Sequence, residues 1–160
     1  MKSQTFENTY LYLRMKYSTF FVNKDVVAHE INVETATINA RVASKMNMSP
    51  YIKIGNSNNS KLVITLVDLA YYMAEDTNST LTEAERREYI YQYFTNKYPR
   101  LLLSKRELAN ELGVCDNTMG TYIKNNYLCK IRRQGTAPNA KVMFHFDDIA
   151  DFFSKVIQTM

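Results

Sequence analysis

Val22-Asn23-Lys24-Asp25-Val26-Val27-Ala28-His29-Glu30-Ile31-Asn32-Val33 and Leu103-Ser104-Lys105-Arg106-Glu107-Leu108-Ala109-Asn110-Glu111-Leu112-Gly113-Val114 share their apolar positions, Val26 against Glu107 excepted, and a central alanine, 81 residues apart. The likeness resumes where Lys61-Leu62-Val63-Ile64-Thr65-Leu66-Val67-Asp68-Leu69-Ala70 falls beneath Lys141-Val142-Met143-Phe144-His145-Phe146-Asp147-Asp148-Ile149-Ala150, now 80 apart. One residue has been lost between the blocks. Self-similarity at a fixed spacing marks a duplicated unit, here of roughly 55 to 60 residues, near the lower limit for an independent core.

Reading outward from the quoted stretches, Asn23 and Ser104 offer side-chain oxygens to the first turns of two helices that run to about Ile31 and Leu112. Asn32 and Gly113 follow, residue types that tolerate positive φ and so end a helix in a tight turn. A second helix opens at once in each copy. Its apolar residues are Ile38, Val42 and Met46 in the first, and Met119, Tyr122, Ile123 and Tyr127 in the second. Two β-rich stretches come next in each copy, 51–54 with 62–66 and 128–132 with 142–146. The polar segments 55–60 and 135–139 read as hairpin tips. Short helices begin near Asp68 and Asp148. Ahead of the first copy, Phe6, Tyr10, Leu13 and Tyr17 predict an amphipathic helix over 5–17. Between the copies lies a polar loop, 76–80. Thr82-x-x-Glu85 then resembles a capping box opening a helix that turns Ile90 and Phe94 inward and stops before Pro99.

With 46% apolar and 22% charged residues the chain is a globular mixture rather than a disordered one. No apolar run approaches the ~20 residues of a transmembrane helix, and Met1-Lys2-Ser3-Gln4-Thr5 leads into no signal-peptide core, so a cytoplasmic protein without a membrane partner is expected. Cys115 and Cys129 lack Cys-x-x-Cys spacing, which argues against a metal site or disulfide, and both read as small packing residues. No cofactor is expected. An enzyme is not expected either: His29 aligns with Asn110 and His145 with Thr65, so neither imidazole is duplicated, and no glycine-rich phosphate loop or nucleophile elbow is present.

The net charge of +4 is unevenly spread. Between residues 100 and 145 stand Arg100, Lys105, Arg106, Lys124, Lys130, Arg132, Arg133 and Lys141 against only Glu107, Glu111 and Asp116, a balance suited to a polyanion. Helix, tight turn, helix, β-hairpin, short helix is the order of a winged helix-turn-helix. The expected fold is therefore mainly α with small β-hairpin wings (α+β), two tandem winged helix-turn-helix units forming an internal pseudo-dimer. The expected boundaries are an N-terminal helix over 1–18, copy 1 over 19–75, a linker loop and helix over 76–99, and copy 2 over 100–160. Ala109 marks the helix crossing, and Val114 is expected to plug the core. The second helix of each copy is expected to face the major groove of double-stranded DNA with Thr35, Thr37, Asn39, Arg41 and Lys45, and with Asn117, Thr118, Thr121, Lys124 and Asn125. Lys53, Lys61, Lys130, Arg132, Arg133 and Lys141 on or near the hairpins would hold the backbone or a minor groove.

The second copy resembles the winged-helix DNA-binding domain shared by MerR-type regulators and phage excisionases. The likeness covers 100–155 well and 20–75 more loosely, and it implies the same two roles for the second helix and the wing. The long dimerising coiled coil of MerR regulators has no counterpart after Ala150. Two such domains in one small chain resemble the DNA-binding accessory proteins of Gram-positive conjugative plasmids. That resemblance implies a duplex site near an origin of transfer, a relaxase or other transfer proteins as partners, and a monomer acting as an internal dimer. An excisionase or a repressor of a mobile element is the alternative, and a protein-interaction module without DNA binding is another. The first copy, with few basic residues and the paired aromatics Tyr71 and Tyr72, could equally serve as a partner-docking or dimer-like module while the second copy alone binds DNA.

Overall fold

A computed structural model describes residues 3–56, 60–74 and 80–157; the middle of the first expected hairpin tip, 57–59, and most of the expected polar loop, 76–79, lie outside the described residues. The chain divides into unit 1, Met1–Thr82 with Val156–Met160, and unit 2, Glu83–Lys155. Among the described residues there are eight helices and two small three-stranded antiparallel sheets, a mixed α+β architecture.

Unit 1 runs α1 (Gln4–Lys16), β1 (Phe21–Val22), α2 (Lys24–Glu30), α3 (Thr35–Ser44), β2 (Ile52–Ile54), β3 (Lys61–Thr65) and α4 (Leu66–Ala74). Unit 2 repeats that order as α5 (Glu83–Lys97), β4 (Leu102–Ser104), α6 (Lys105–Leu112), α7 (Asp116–Lys124), β5 (Arg132–Gln134), β6 (Lys141–His145) and α8 (Phe146–Phe153). The strand orders are β1-β3-β2 and β4-β6-β5, so each expected hairpin gains a third strand from the residues just before α2 or α6. Register repeats as well. Lys53 pairs with Leu62 as Arg133 pairs with Val142, and Ile54 with Lys61 as Gln134 with Lys141.

The repeat is longer than the apolar pattern suggested. α5, expected in a linker, belongs to unit 2 and occupies the place α1 holds in unit 1. From Val156 the chain belongs to unit 1 again, where Tyr51 and Ile157 exchange backbone hydrogen bonds of 3.1 and 2.7 Å. β5 begins at Arg132 rather than near Leu128, and all three of its residues are exposed. Met46 lies beyond α3 and is 51% exposed, so it is not a core residue. Tyr127 lies beyond α7, and Val114 is half-buried rather than a full plug.

The local signals behave as their chemistry requires. Asn23 Oδ1 accepts from Val26 N–H, while Ser104 Oγ accepts from Glu107 N–H, whose own carboxylate accepts from Ser104 N–H to complete a capping box. Asn32 and Gly113 take φ of 58° and 69°, the left-handed conformation that turns the chain from one helix into the next. α4 and α8 open two residues before the expected aspartates. In α4, Asp68 N–H donates to Thr65 Oγ1 and the Thr65 hydroxyl donates back to Asp68 Oδ2; in α8 the cap is His145, whose Nδ1 accepts from Asp147 N–H.

Packing of the first helix shows the duplication most directly. Tyr12, Lys16 and Tyr17 of unit 1 converge on Glu30, at 3.2, 2.8 and 3.1 Å; Tyr93, Lys97 and Tyr98 of unit 2 converge on Glu111, at 2.9 to 3.0, 2.6 and 2.7 Å. Every member is 81 residues from its counterpart. Both glutamates are almost completely buried, so three donors each are needed to offset the loss of water. Burial works to raise the Glu30 carboxyl, and the hydrogen bonds from Lys16, Tyr17 and Tyr12 outweigh it, holding the group below the usual carboxylate range. On the other side of this helix the units diverge. Phe6 meets the Tyr71 ring edge-on at 5.6 Å between centroids, whereas at the matching positions Arg87 binds Asp151 at 2.6 Å, with Asp147 alongside at 3.2 Å.

Candidate nucleic-acid interface

The phase of α3 and α7 is set by the residue each buries most deeply, Ile38 and Met119. Given that phase, the outward positions of α3 are Ala36, Asn39, Ala40, Ala43 and Ser44. Thr35, Thr37 and Arg41, expected on the outward face, are half-buried. The Thr35 hydroxyl donates to Asp25 Oδ1 at 3.0 Å. Arg41 Nη1 donates to the Tyr72 hydroxyl at 2.9 Å, and that hydroxyl donates to the Asn47 carbonyl at 2.6 Å. Arg41 and Tyr72 thus brace α3 against α4. Tyr71, half-buried, packs on Phe6.

α7 presents a different surface from the same backbone. Asp116, Asn117, Thr121 and Lys124 are exposed, with Gly120 half-buried between them. Ala36, Ala40 and Ala43 of α3 correspond, 81 residues on, to Asn117, Thr121 and Lys124. Thr118 is half-buried beside Cys115, the two side chains 3.2 Å apart; Asn125 caps the helix and is exposed.

Cys115 is itself exposed, as the N-cap residue of α7, and so is not the packing residue expected. The Thr118 side chain and the backbone N–H groups of the first turn hold its thiol below the ordinary range. Cys129 is buried, and burial pushes its thiol up to about 12. Among the described residues, no group of three or more His, Cys, Asp or Glu is gathered as a metal would need.

The hairpins supply the cations. In unit 1, Lys53 and Lys61 on adjacent strands join Lys45 at the end of α3 and Lys24 at the start of α2 around a groove of about 1020 Å³. Asp25 and Asn39 also line it, making the local balance four lysines to one carboxylate. Lys45 and Lys53 are exposed and Lys61 is half-buried; burial lowers the Lys61 pKa, with Asp25 opposing. The first unit, nearly neutral by composition, is locally basic here. In unit 2, Lys130, Arg132, Arg133 and Lys141 are all exposed. Arg132 is engaged by Asp148 at 3.1 Å and Arg100 by Glu107, which leaves Lys130, Arg133 and Lys141 without an ion pair among the described residues.

Lys24 and Lys105 are not among the contact residues expected from the sequence. Each is the first residue of its helix and lies across the helix that follows: Lys24 Nζ donates to Asn39 Oδ1 at 2.9 Å, and Lys105 Nζ would stand 3.4 Å from a Cβ added at Gly120, the residue matching Asn39. Their shared identity at the 81-residue spacing was the signal available. Lys24, Lys53 and Lys61 thus correspond to Lys105, Arg133 and Lys141, a cationic frame present in both units.

Compared with protein-family models, with curated proteins and with solved structures, the chain matches none. No helix among the described residues is long and apolar enough to cross a membrane.

Proposed function

We propose that the chain is a sequence-specific double-stranded DNA-binding protein built from two tandem winged helix-turn-helix units, with α3 and α7 directed to the major groove and the β2–β3 and β5–β6 hairpins to the backbone or minor groove. The observation that supports it most is the cationic frame that recurs at equivalent positions of both units: Lys24, Lys53 and Lys61, and Lys105, Arg133 and Lys141. Charge repeated at the start of one helix and on two adjacent strands, around a helix with an open outward face, suits a phosphodiester backbone passing between helix and wing. Asn117 and Thr121 add side chains able to pair with adenine or touch a thymine methyl, and Lys124 one able to reach guanine or phosphate. The likeness to accessory proteins of conjugative plasmids supports a role at a transfer origin, with a relaxase or other transfer protein as the second partner. No catalytic step is part of this reading.

Titrating labelled duplex with the full chain at increasing salt tests it. Affinity that falls steeply as salt rises from about 0.05 to 0.2 M is the expected result, since each phosphate contact releases counterions. Binding indifferent to salt, or no duplex binding, would overturn the reading.

A further inference from the structure

Resting on that reading, we infer that the two units divide the work: unit 1 holds the phosphodiester backbone of a duplex in its four-lysine groove without reading bases, and base reading belongs to α7 of unit 2.

Two observations carry it. The first is that the outward face of α3 is nearly devoid of base-reading chemistry, because Ala36, Ala40 and Ala43 stand where α7 carries Asn117, Thr121 and Lys124. Alanine methyls offer no donor or acceptor to a base edge, so they discriminate little between base pairs. Asn39, the one amide on that face, accepts from Lys24 with its oxygen; Thr35 and Arg41 are turned to Asp25 and Tyr72, Thr37 is half-buried, and the Ser44 hydroxyl donates to the Arg41 carbonyl. The second is that the same unit keeps all three cations of the shared frame and adds Lys45 at the position of Asn126, concentrating charge in one groove. A surface that sheds its readers while gaining a cation grips any sequence equally. A flat alanine helix also allows the backbone to approach closely.

The test uses the full chain and two duplexes, one enriched by selection from random-sequence DNA and one of the same composition shuffled. Lys45→Gln with Lys53→Gln removes two exposed lysines from the groove. It is expected to weaken both duplexes alike, by about 30-fold at 0.15 M salt, and to reduce the slope of log affinity against log salt by about 2. Asn117→Ala with Thr121→Ala is expected to weaken the selected duplex alone, bringing it close to the shuffled one. Thermal unfolding verifies that each variant is folded, and Lys53→Gln alone, with half the slope change, replaces the double variant if that one unfolds. An unchanged slope, or a loss confined to the selected duplex in the lysine variant, overturns the inference while leaving duplex binding itself intact. So does displacement of the duplex by inorganic pyrophosphate at equal phosphate concentration, which would mean a pocket for a compact anion. Absence of any duplex binding by the unmodified chain overturns the underlying reading, and the inference with it.

Discussion

Units 1 and 2 have one backbone plan and two surfaces. Where the chain must close a core, the copies agree to the residue: Tyr12, Lys16, Tyr17 and Glu30 against Tyr93, Lys97, Tyr98 and Glu111. On the outward side of α3 and α7, alanines face asparagine, threonine and lysine. The difference teaches that burying a glutamate imposes a demand both copies must meet, since losing one donor strands a charge, whereas an exposed helix face is free to specialise.

The largest expected effect lies in the shared cluster. Glu111→Ala removes the acceptor of Tyr93 and Tyr98 and should lower unfolding free energy by about 3 kcal/mol in urea titration. Glu30→Ala should cost about 1 to 2 kcal/mol, because Tyr12 remains 47% exposed and can turn to water while Tyr93 is buried. Equal losses would show that the two clusters are energetically the same. Next come the outward faces: Asn117→Ala should reduce discrimination between selected and shuffled duplexes by about 1 to 3 kcal/mol, and Asn39→Ala should leave it unchanged in the same competition assay.

The turn sharpens the comparison further. Gly113→Ala places a methyl at φ 69° and should destabilise by about 1 to 2 kcal/mol, whereas Asn32→Gly, already at φ 58°, should change the urea midpoint only slightly. Acid gives a smaller effect. The Glu30 pKa is lower folded than unfolded, so its contribution is complete above the unfolded value near 4.5 and disappears as pH falls through the folded value. Unfolding titrations between about pH 2 and 5 should show that Glu30→Gln flattens this part of the pH dependence. A profile as steep as that of the unmodified chain would mean that Glu30 does not carry it. Arg41→Ala should have the least influence on DNA affinity, since its guanidinium serves Tyr72.

Much of the fold was legible because its signals are local. Asn23 and Ser104 had to cap something, and Asn32 and Gly113 permit a turn that few residues take without strain. Apolar periodicity does not reveal the equivalence of α1 and α5, because their buried residues, Phe6 and Leu13 against Arg86, Ile90, Tyr93 and Phe94, coincide only at Leu13 and Phe94. The polar cluster held the likeness instead. Side-chain pattern starts β5 too early because Arg132, Arg133 and Gln134 have no inward side; backbone pairing to β6 makes it a strand. Of the candidate site, the residue types can be read from the sequence, and the phase of α3 cannot. Burial of Ile38 carries Thr35, Thr37 and Arg41 partly inward and leaves the alanines outside. The lysines at 24 and 105 lie outside the second helix altogether, and only the way each lies across that helix brings them to the face.

The central claim, two unequal grips on one duplex, is tested most directly by footprinting the full chain on its selected duplex with hydroxyl radicals and base methylation in parallel. Two unequal grips should protect the backbone in two patches, with methylation interference at only one. A single protected patch of about four or five base pairs, or interference of equal strength at both, would contradict it.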